Sequence, residues 1–320
     1  MNLEGAKVLI TGGAGFLGSR LARHIITHAE HAQVTVFSRD EKKHYDLKCQ
    51  LDAIGRSGRM HSVLGDVRDY GRVSEAIARA DVVIHAAAMK HITSAEANPT
   101  EAVETNVGGA KNVVRALAGG NKPCVFVSTD KAVEPLNVYG MTKAIQERIF
   151  QQGCACVGVR YGNVMSSSGS VVPFFRECGK AGRTLPLVSR DMTRFFLTAA
   201  QAIELILNTL AHAPLQSIVV PKLKSCRLGD LADVFAAEYN VGINIIGLRQ
   251  GEKMHELLVS HEELLRVVDS GDCAVIAPTK DAFEGKVATP DEGYLNAFLS
   301  SVPVMSRDEV AAWLKREGEL

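Results

Sequence analysis

Lys7-Val-Leu-Ile-Thr11-Gly12-Gly-Ala-Gly15-Phe-Leu-Gly18 passes from a short apolar run, through spaced glycines, into a helical pattern. The apolar run has the length of a buried strand. Leu17, Leu21 and Ile25 then recur at four-residue intervals, as on one helix face. Glycines at 12, 15 and 18 permit a tight turn, close approach of backbone N–H groups to a pyrophosphate, and close helix–strand packing. Alone such a spacing is a weak signal, but between a strand and a helix it is a strong one. It predicts a dinucleotide site formed by Gly12, Ala14, Gly15, Phe16, Leu17 and Gly18.

Working outward, the next strand, Gln33-Val-Thr-Val-Phe-Ser38, ends where an NAD site presents an acidic residue to the ribose. Here Ser38 and Arg39 stand, with Lys42 just beyond. A hydroxyl and a guanidinium suit a 2′-phosphate, so NADP is expected over NAD. The alternative is a solvated charged turn in which Asp40 caps a helix. Met60–Leu64 is a strand leading to Asp66 and Val67, where Asp66 either meets the adenine amino group or caps a turn. Asp81–His85 is another strand, and the small residues Ala86 and Ala87 after it let a cofactor cross the strand ends. Pro99 opens a long helix through Leu117. Strands alternating with helices imply right-handed crossovers and a doubly wound parallel α/β sheet, with ligands at the carboxyl ends of its strands.

The chemistry concentrates between Val127 and Lys143. Cys124–Val127 reads as a buried strand, followed by Ser128, Thr129, Asp130 and Lys131. Tyr139 and Lys143 fall four residues apart on the first turn of a helix and share a face. An ammonium near a phenol favours the phenolate, which makes Tyr139 a candidate general base. Alone, such a pair is more often an ordinary solvated helix face; together with a dinucleotide site the balance reverses. Asp130 and Lys131 exceed what an alcohol dehydrogenase needs, whereas elimination of water requires both an acid and a base.

Composition narrows the function classes. Lys+Arg and Asp+Glu number 36 each, so no global field selects nucleic acid or an anionic membrane. Seven scattered cysteines, including Cys154 and Cys156, lack zinc-ligand spacing and read as reduced thiols; no metal is expected. Neither a leader segment nor an apolar stretch long enough to span a bilayer is found, so a soluble, cytoplasmic protein is expected. From about Gly162 the alternation loosens. Residues 1–162 are therefore expected to form an NADP-binding Rossmann domain that also takes in later segments, and residues 163–320 mainly a smaller lobe closing over the sheet edge. The last helix is opened by Ser306 and Glu309, a capping box, with Val310, Trp313 and Leu314 on its buried stripe.

These strings resemble the extended short-chain dehydrogenase/reductase superfamily, and within it the UDP-N-acetylglucosamine 4,6-dehydratases of the C5-inverting type that begins pseudaminic acid synthesis. The resemblance runs from Val8 to about Glu256. It rests on Phe37-Ser-Arg-Asp-Glu41, Gly65-Asp-Val-Arg-Asp69, His85-Ala-Ala-Ala-Met-Lys-His91 and Ser128-Thr-Asp-Lys131. Further along it rests on Tyr139-Gly-Met-Thr-Lys143, Arg160-Tyr-Gly-Asn-Val164, Met192-Thr-Arg-Phe195 and Gly251-Glu-Lys-Met-His-Glu256. It implies that Ser128, Thr129, Tyr139, Lys143 and Val164 line the nicotinamide end. It implies that Lys90, Asn163, Gly169, Ser170, Val171, Val172, Arg194 and Arg249, with Tyr294 from the tail, hold a UDP-sugar. Ser168 departs from the family, whose members carry arginine there.

The chemistry expected on this basis has Tyr139 take the C4 hydroxyl proton, Lys131 the C5 proton, and protonated Asp130 serve the departing C6 hydroxyl. NADP takes hydride from C4 and returns it to C6. Burial and neighbouring cations are expected to make Lys131 neutral. The chain is expected to act as a homo-oligomer. Two other readings stay open: a UDP-sugar 4-epimerase or reductase using Tyr139 and Lys143 alone, and an NADP-sensing regulatory protein without turnover. Retention of water in the product marks the first, and the absence of any turnover marks the second.

Overall fold

The computed structural model describes residues 3–153, 155–280, 282 and 292–320; Met1, Asn2 and Cys154 lie outside that set. The first strands are β1 Lys7–Thr11, β2 Gln33–Ser38, β3 Met60–Leu64, β4 Val82–His85, β5 Cys124–Thr129 and β6 Cys156–Tyr161. Then follow β7 Asn163–Val164, β8 Leu185–Leu187, β9 Thr193–Leu197 and β10 Ile218–Pro221. The last are β11 Ser225–Arg227, β12 Ile243–Ile245, β13 Val267–Ser270 and β14 Cys273–Ile276. Nine of them form one sheet in the order β13-β14-β10-β6-β5-β4-β1-β2-β3. From β3 to β10 all neighbours are parallel; β14 pairs antiparallel with both β10 and β13.

Both faces of this sheet are covered, which explains why its strands read as continuous apolar runs. Val8 and Ile10 pack with Leu21 and Ile25 of the helix Phe16–His28. Leu9, between them, packs on the other face with Val73, Val113 and Phe126. Strand order reverses between β1 and β4, and a crevice opens there at the carboxyl ends. Among the described residues no helix is long and apolar enough to cross a membrane.

After residue 162 the chain returns to this sheet. Helix Ala199–His212 covers it with Ala202, Ile203 and Ile206, and β10, β13 and β14 extend its edge. The smaller lobe holds the sheet β11-β9-β7 and the pair β12-β8, with a core of Phe175, Phe196, Phe235, Trp313 and Leu314. Ser306 and Glu309 form the expected capping box. The helix expected from Pro99 to Leu117 contains a π-helical turn at Glu104–Gly108. Such turns bulge a helix and redirect a side chain. Here Asn106 bonds the backbone N–H of Met89 (2.8 Å) and its carbonyl (3.1 Å), and donates to Thr142 Oγ1 (2.9 Å). It thereby ties the segment after β4 to the Tyr139 helix.

A buried ion-pair network ties β6 to the segment that precedes β13. Arg160 in β6, fully buried, meets Glu147 at 2.6 Å and Glu263 at 2.8 Å, and donates to the Leu258 carbonyl at 2.9 Å. Burial alone would raise Glu263, but the guanidinium outweighs it and holds the carboxyl at about 2. Arg160→Met strands both carboxylates, so a loss of about 3–5 kcal/mol is expected. Urea unfolding checks it through the midpoint.

Candidate active site

A cleft of about 1120 Å³ follows the carboxyl edge of the sheet and continues under the smaller lobe. Its first stretch is the glycine turn. Gly12 has φ +69°, open to glycine at no steric cost, and a Cβ at Gly18 would sit 2.4 Å from the Gly12 carbonyl oxygen. The helix behind the turn starts at Gly15 without a side-chain cap or an acidic residue in its first turn. Its free N–H groups therefore suit a dinucleotide pyrophosphate. Ala14, Phe16 and Leu17 line the same wall, and Val67, Ala86, Ala87, Ser128 and Val164 continue it.

Where the cleft passes β2 and β3, Arg39 is exposed and bonds Asp66 at 3.3 Å. Asp66 also accepts from the Arg68 side chain (2.7 Å) and backbone N–H (3.0 Å), so it organises the turn as well as the wall. Burial alone would raise this carboxyl; Arg68 and Arg39 hold it below its ordinary value. Ser38 Oγ meets His44 Nε2 at 2.7 Å, and His44 Nδ1 meets Ser62 Oγ at 2.5 Å. Lys42 is a correction: it turns away to pair with Asp46 at 2.6 Å, one helical turn on, and Lys43 lines the cleft instead.

The catalytic candidates converge where β5 ends. Asn137 caps the helix Val138–Gln152 by accepting from the Gly140 N–H at 2.8 Å, which sets Tyr139 and Lys143 on its first turns. Thr129, Lys131, Tyr139 and Lys143 all line the cleft. Lys143 does not aim its ammonium at the phenol. Its Nζ donates to the Val127 carbonyl (2.6 Å) and Gln146 Oε1 (2.7 Å), and burial, partly opposed by Glu147, brings it down to about 7. Burial pushes Tyr139 up to about 12, against the lowering effects of Lys131 and Thr129. The phenolate expected from the Tyr139–Lys143 spacing is thus not the form this protein holds by itself.

Lys131 is the second correction. Burial would lower it, as expected, but two carboxylates outweigh burial and raise it. Nζ lies 2.9 Å from Asp130 Oδ1 and 3.4 Å from Glu256 Oε1, and donates to Asn163 Oδ1 at 3.2 Å. Asp130 does not border the cleft: it is fully buried, its Oδ1 bonds Thr129 and Lys131, and its Oδ2 has no partner. It reaches the cleft through those two neighbours.

Under the smaller lobe Gly169, Ser170 and Val171 line the cleft, and Lys90 Nζ donates to the Ser168 carbonyl at 2.9 Å. Arg249 lines it as an exposed guanidinium. Arg194 borders it too, but its Nη atoms donate to the carbonyls of Thr193 (2.7 Å) and Lys253 (2.9 Å), which anchors the segment carrying Glu256. Two further expectations are corrected. Val172 is buried in the core of the smaller lobe, because its place on the helix Val171–Lys180 turns it inward. Tyr294 lies outside the cleft lining, its ring tilted against Phe298 and its hydroxyl bonded to Asp269 of β13 at 3.2 Å. His255 pairs with Thr193 at 2.9 Å, a hydrogen-bonding role. Glu256 and His44 were missed. Glu256 stands 125 positions beyond Lys131, and no local pattern links the two.

A nucleotide fold closed over a Tyr139–Lys143 pair defines an extended short-chain dehydrogenase/reductase. The polysaccharide biosynthesis protein family model matches residues 8–278. The chain is 37% identical over 270 residues to the UDP-N-acetylglucosamine 4,6-dehydratase (inverting) of Campylobacter jejuni subsp. jejuni serotype O:23/36 (strain 81-176), covering 81% of this chain and 79% of that one. It is 38% identical over 282 residues to a UDP-glucose 4-epimerase of Rickettsia canadensis (strain McKiel), with 83% and 81% covered. Among solved structures, Pen from Bacillus thuringiensis superimposes with TM-score 0.90 at 31% identity, over 100% of both chains. DesIV, a dTDP-glucose 4,6-dehydratase from Streptomyces venezuelae with NAD and TYD bound, shares the fold at TM-score 0.69 and 21% identity, with 78% and 86% covered. The chain belongs to the polysaccharide biosynthesis protein family, among relatives named as nucleotide-sugar dehydratases and epimerases.

Proposed function

We propose that the substrate is UDP-N-acetylglucosamine, that the cofactor is NADP, and that the product is UDP-2-acetamido-2,6-dideoxy-hexos-4-ulose inverted at C5. The observation that carries this reading is the Asp130–Lys131 pair beside Tyr139, an acid and a base beyond those an epimerase needs. The names of the Campylobacter relatives support the sugar, and the NAD held by the Streptomyces enzyme supports a dinucleotide. Residues 1–162, with the later strands of the large sheet, hold the dinucleotide; the smaller lobe holds the nucleotide sugar, with Lys90, Asn163 and Arg249 facing it.

When bound, the dinucleotide supplies the acceptor and donor of hydride at C4 and C6. The chain moves the protons. Tyr139 takes the C4 hydroxyl proton in its ionised form, which burial makes scarce until higher pH, with Thr129 beside it. Passing one proton along the 2.9 Å bond from Lys131 to Asp130 turns the ion pair into an amine and a carboxylic acid. Those are the two forms elimination needs: the amine removes the C5 proton, acidified by the C4 ketone, and the acid passes its proton to the Thr129 hydroxyl, 2.8 Å away, which gives its own to the departing C6 hydroxyl. The two groups titrate as a pair.

Arg39 tests the cofactor. A guanidinium bound to a 2′-phosphate contributes about 1.5–3 kcal/mol. Arg39→Ala is therefore expected to weaken NADP binding roughly 10- to 100-fold and NAD far less, as titration of each cofactor reads. Incubating the protein with UDP-N-acetylglucosamine in heavy water tests the reaction. Loss of one water, deuterium at C5 and an L-arabino product by proton NMR are expected. A D-xylo first product overturns the inversion, and a hexose of unchanged mass moves the chain to the epimerases it also resembles.

A further inference from the structure

Glu256 is a buried carboxylate to which the reaction as drawn gives no part. It borders the cleft, is 2% exposed, and is held by its backbone N–H, which donates to Ser300 Oγ at 2.8 Å. Its Oε1 lies 3.4 Å from Lys131 Nζ and 3.7 Å from Arg194 Nε, and its Oε2 lies 4.0 Å from Lys253 Nζ. Oε2 has no hydrogen-bond partner. One carboxylate therefore stands among three cations, and only Lys131 among them is assigned to a proton transfer.

We propose that Glu256 is a positioning residue for Lys131: it holds Nζ at the cleft and sets the pH at which the lysine can take the C5 proton. This rests on the reading of Lys131 as the C5 base. The charged and titratable groups facing Nζ are Asp130 from its own turn, Glu256, Arg194 and Lys253 from the smaller lobe, and Tyr139 from the helix Val138–Gln152. Asn163 adds a neutral acceptor. Arg194 and Lys253 disfavour the ammonium, and Asp130 and Glu256 favour it. A carboxylate at this range stabilises the ammonium formed when Lys131 takes the C5 proton, so it strengthens the base. The same attraction favours a second proton on the Asp130–Lys131 pair, so it raises the pH above which the pair holds the single proton that elimination needs. Glu256 thus fixes both the strength of the base and the acid limb of the rate.

The test is the pH dependence of water loss from UDP-N-acetylglucosamine by the full-length protein carrying Glu256→Gln, with kcat and KM measured separately. Removing an opposite charge at this distance moves a titration by about one to three pH units. The acid limb of kcat is expected to move that far toward lower pH, with a lower plateau and an unchanged KM. Glu256→Asp, which keeps the charge at shorter reach, is expected to fall between Glu256→Gln and the parent, and it carries the test alone if the glutamine variant does not fold. A uniform fall at every pH, with the limb in place, marks a structural role and overturns the proposal. So does a limb that moves as far in Glu256→Asp as in Glu256→Gln. Lys131→Arg separates the two failures. If that variant still eliminates water, the reading of Lys131 fails; if it does not and the Glu256→Gln limb stays put, only the positioning role fails.

Discussion

Lys131→Arg stops water loss while oxidation at C4 continues, so a 4-keto sugar that still carries its C6 hydroxyl accumulates. Arginine keeps the positive charge between Asp130 and Glu256 that the structure shows at 2.9 and 3.4 Å, so the buried carboxylates remain paired. It never deprotonates in a protein, and so it cannot accept the C5 proton. Loss of a positioned general base lowers the rate by about 100- to 10,000-fold. Borodeuteride trapping followed by mass spectrometry reads the trapped ketone, and heavy-water labelling reads C5. Wild-type water loss in this variant would reduce Lys131 to a structural cation and leave the elimination without its base.

The fold was legible because its decisive signals are local. A strand, a glycine turn and a helix follow one another within Lys7–His28, and β2, β4 and β5 announced themselves by apolar runs. The site was legible where one segment carried it, as between Ser128 and Lys143. It was not legible where partners come from distant chain. Lys131 was expected to be neutral because sequence shows the neighbouring cations but not Glu256, which arrives through a separate lobe. Lys143 was expected to point at Tyr139 because four-residue spacing gives a shared face; Gln146 and the Val127 carbonyl, which capture its Nζ, are matters of packing. Lys42 and Lys43 differ by one position, and helical spacing to Asp46 decides which leaves the cleft. The tail was read at Tyr294 by resemblance alone, and its ring belongs to the core beside Phe298.

Tyr139→Phe removes a single oxygen and is expected to abolish every step. The ring is buried against Ala95 and Ala102, and phenylalanine preserves that packing, so stability changes by only about 1 kcal/mol, the worth of one hydrogen bond. The chemistry changes far more. Removal of the C4 hydroxyl proton precedes the ketone, and without the ketone the C5 proton is not acidic enough for Lys131. Activity therefore falls by at least about 100- to 10,000-fold, and neither a 4-keto sugar nor C5 deuterium appears. This separates it from Lys131→Arg, where the ketone accumulates. The raised value of about 12 adds a pH signature. Burial disfavours the phenolate, so the parent enzyme's rate rises with pH toward the alkaline side until the bound ligands' own charges lower that threshold. In Tyr139→Phe this dependence on the phenol is absent, and any residual rate is flat across it. Deuterium at C5 in that variant would place the C4 base elsewhere in the cleft.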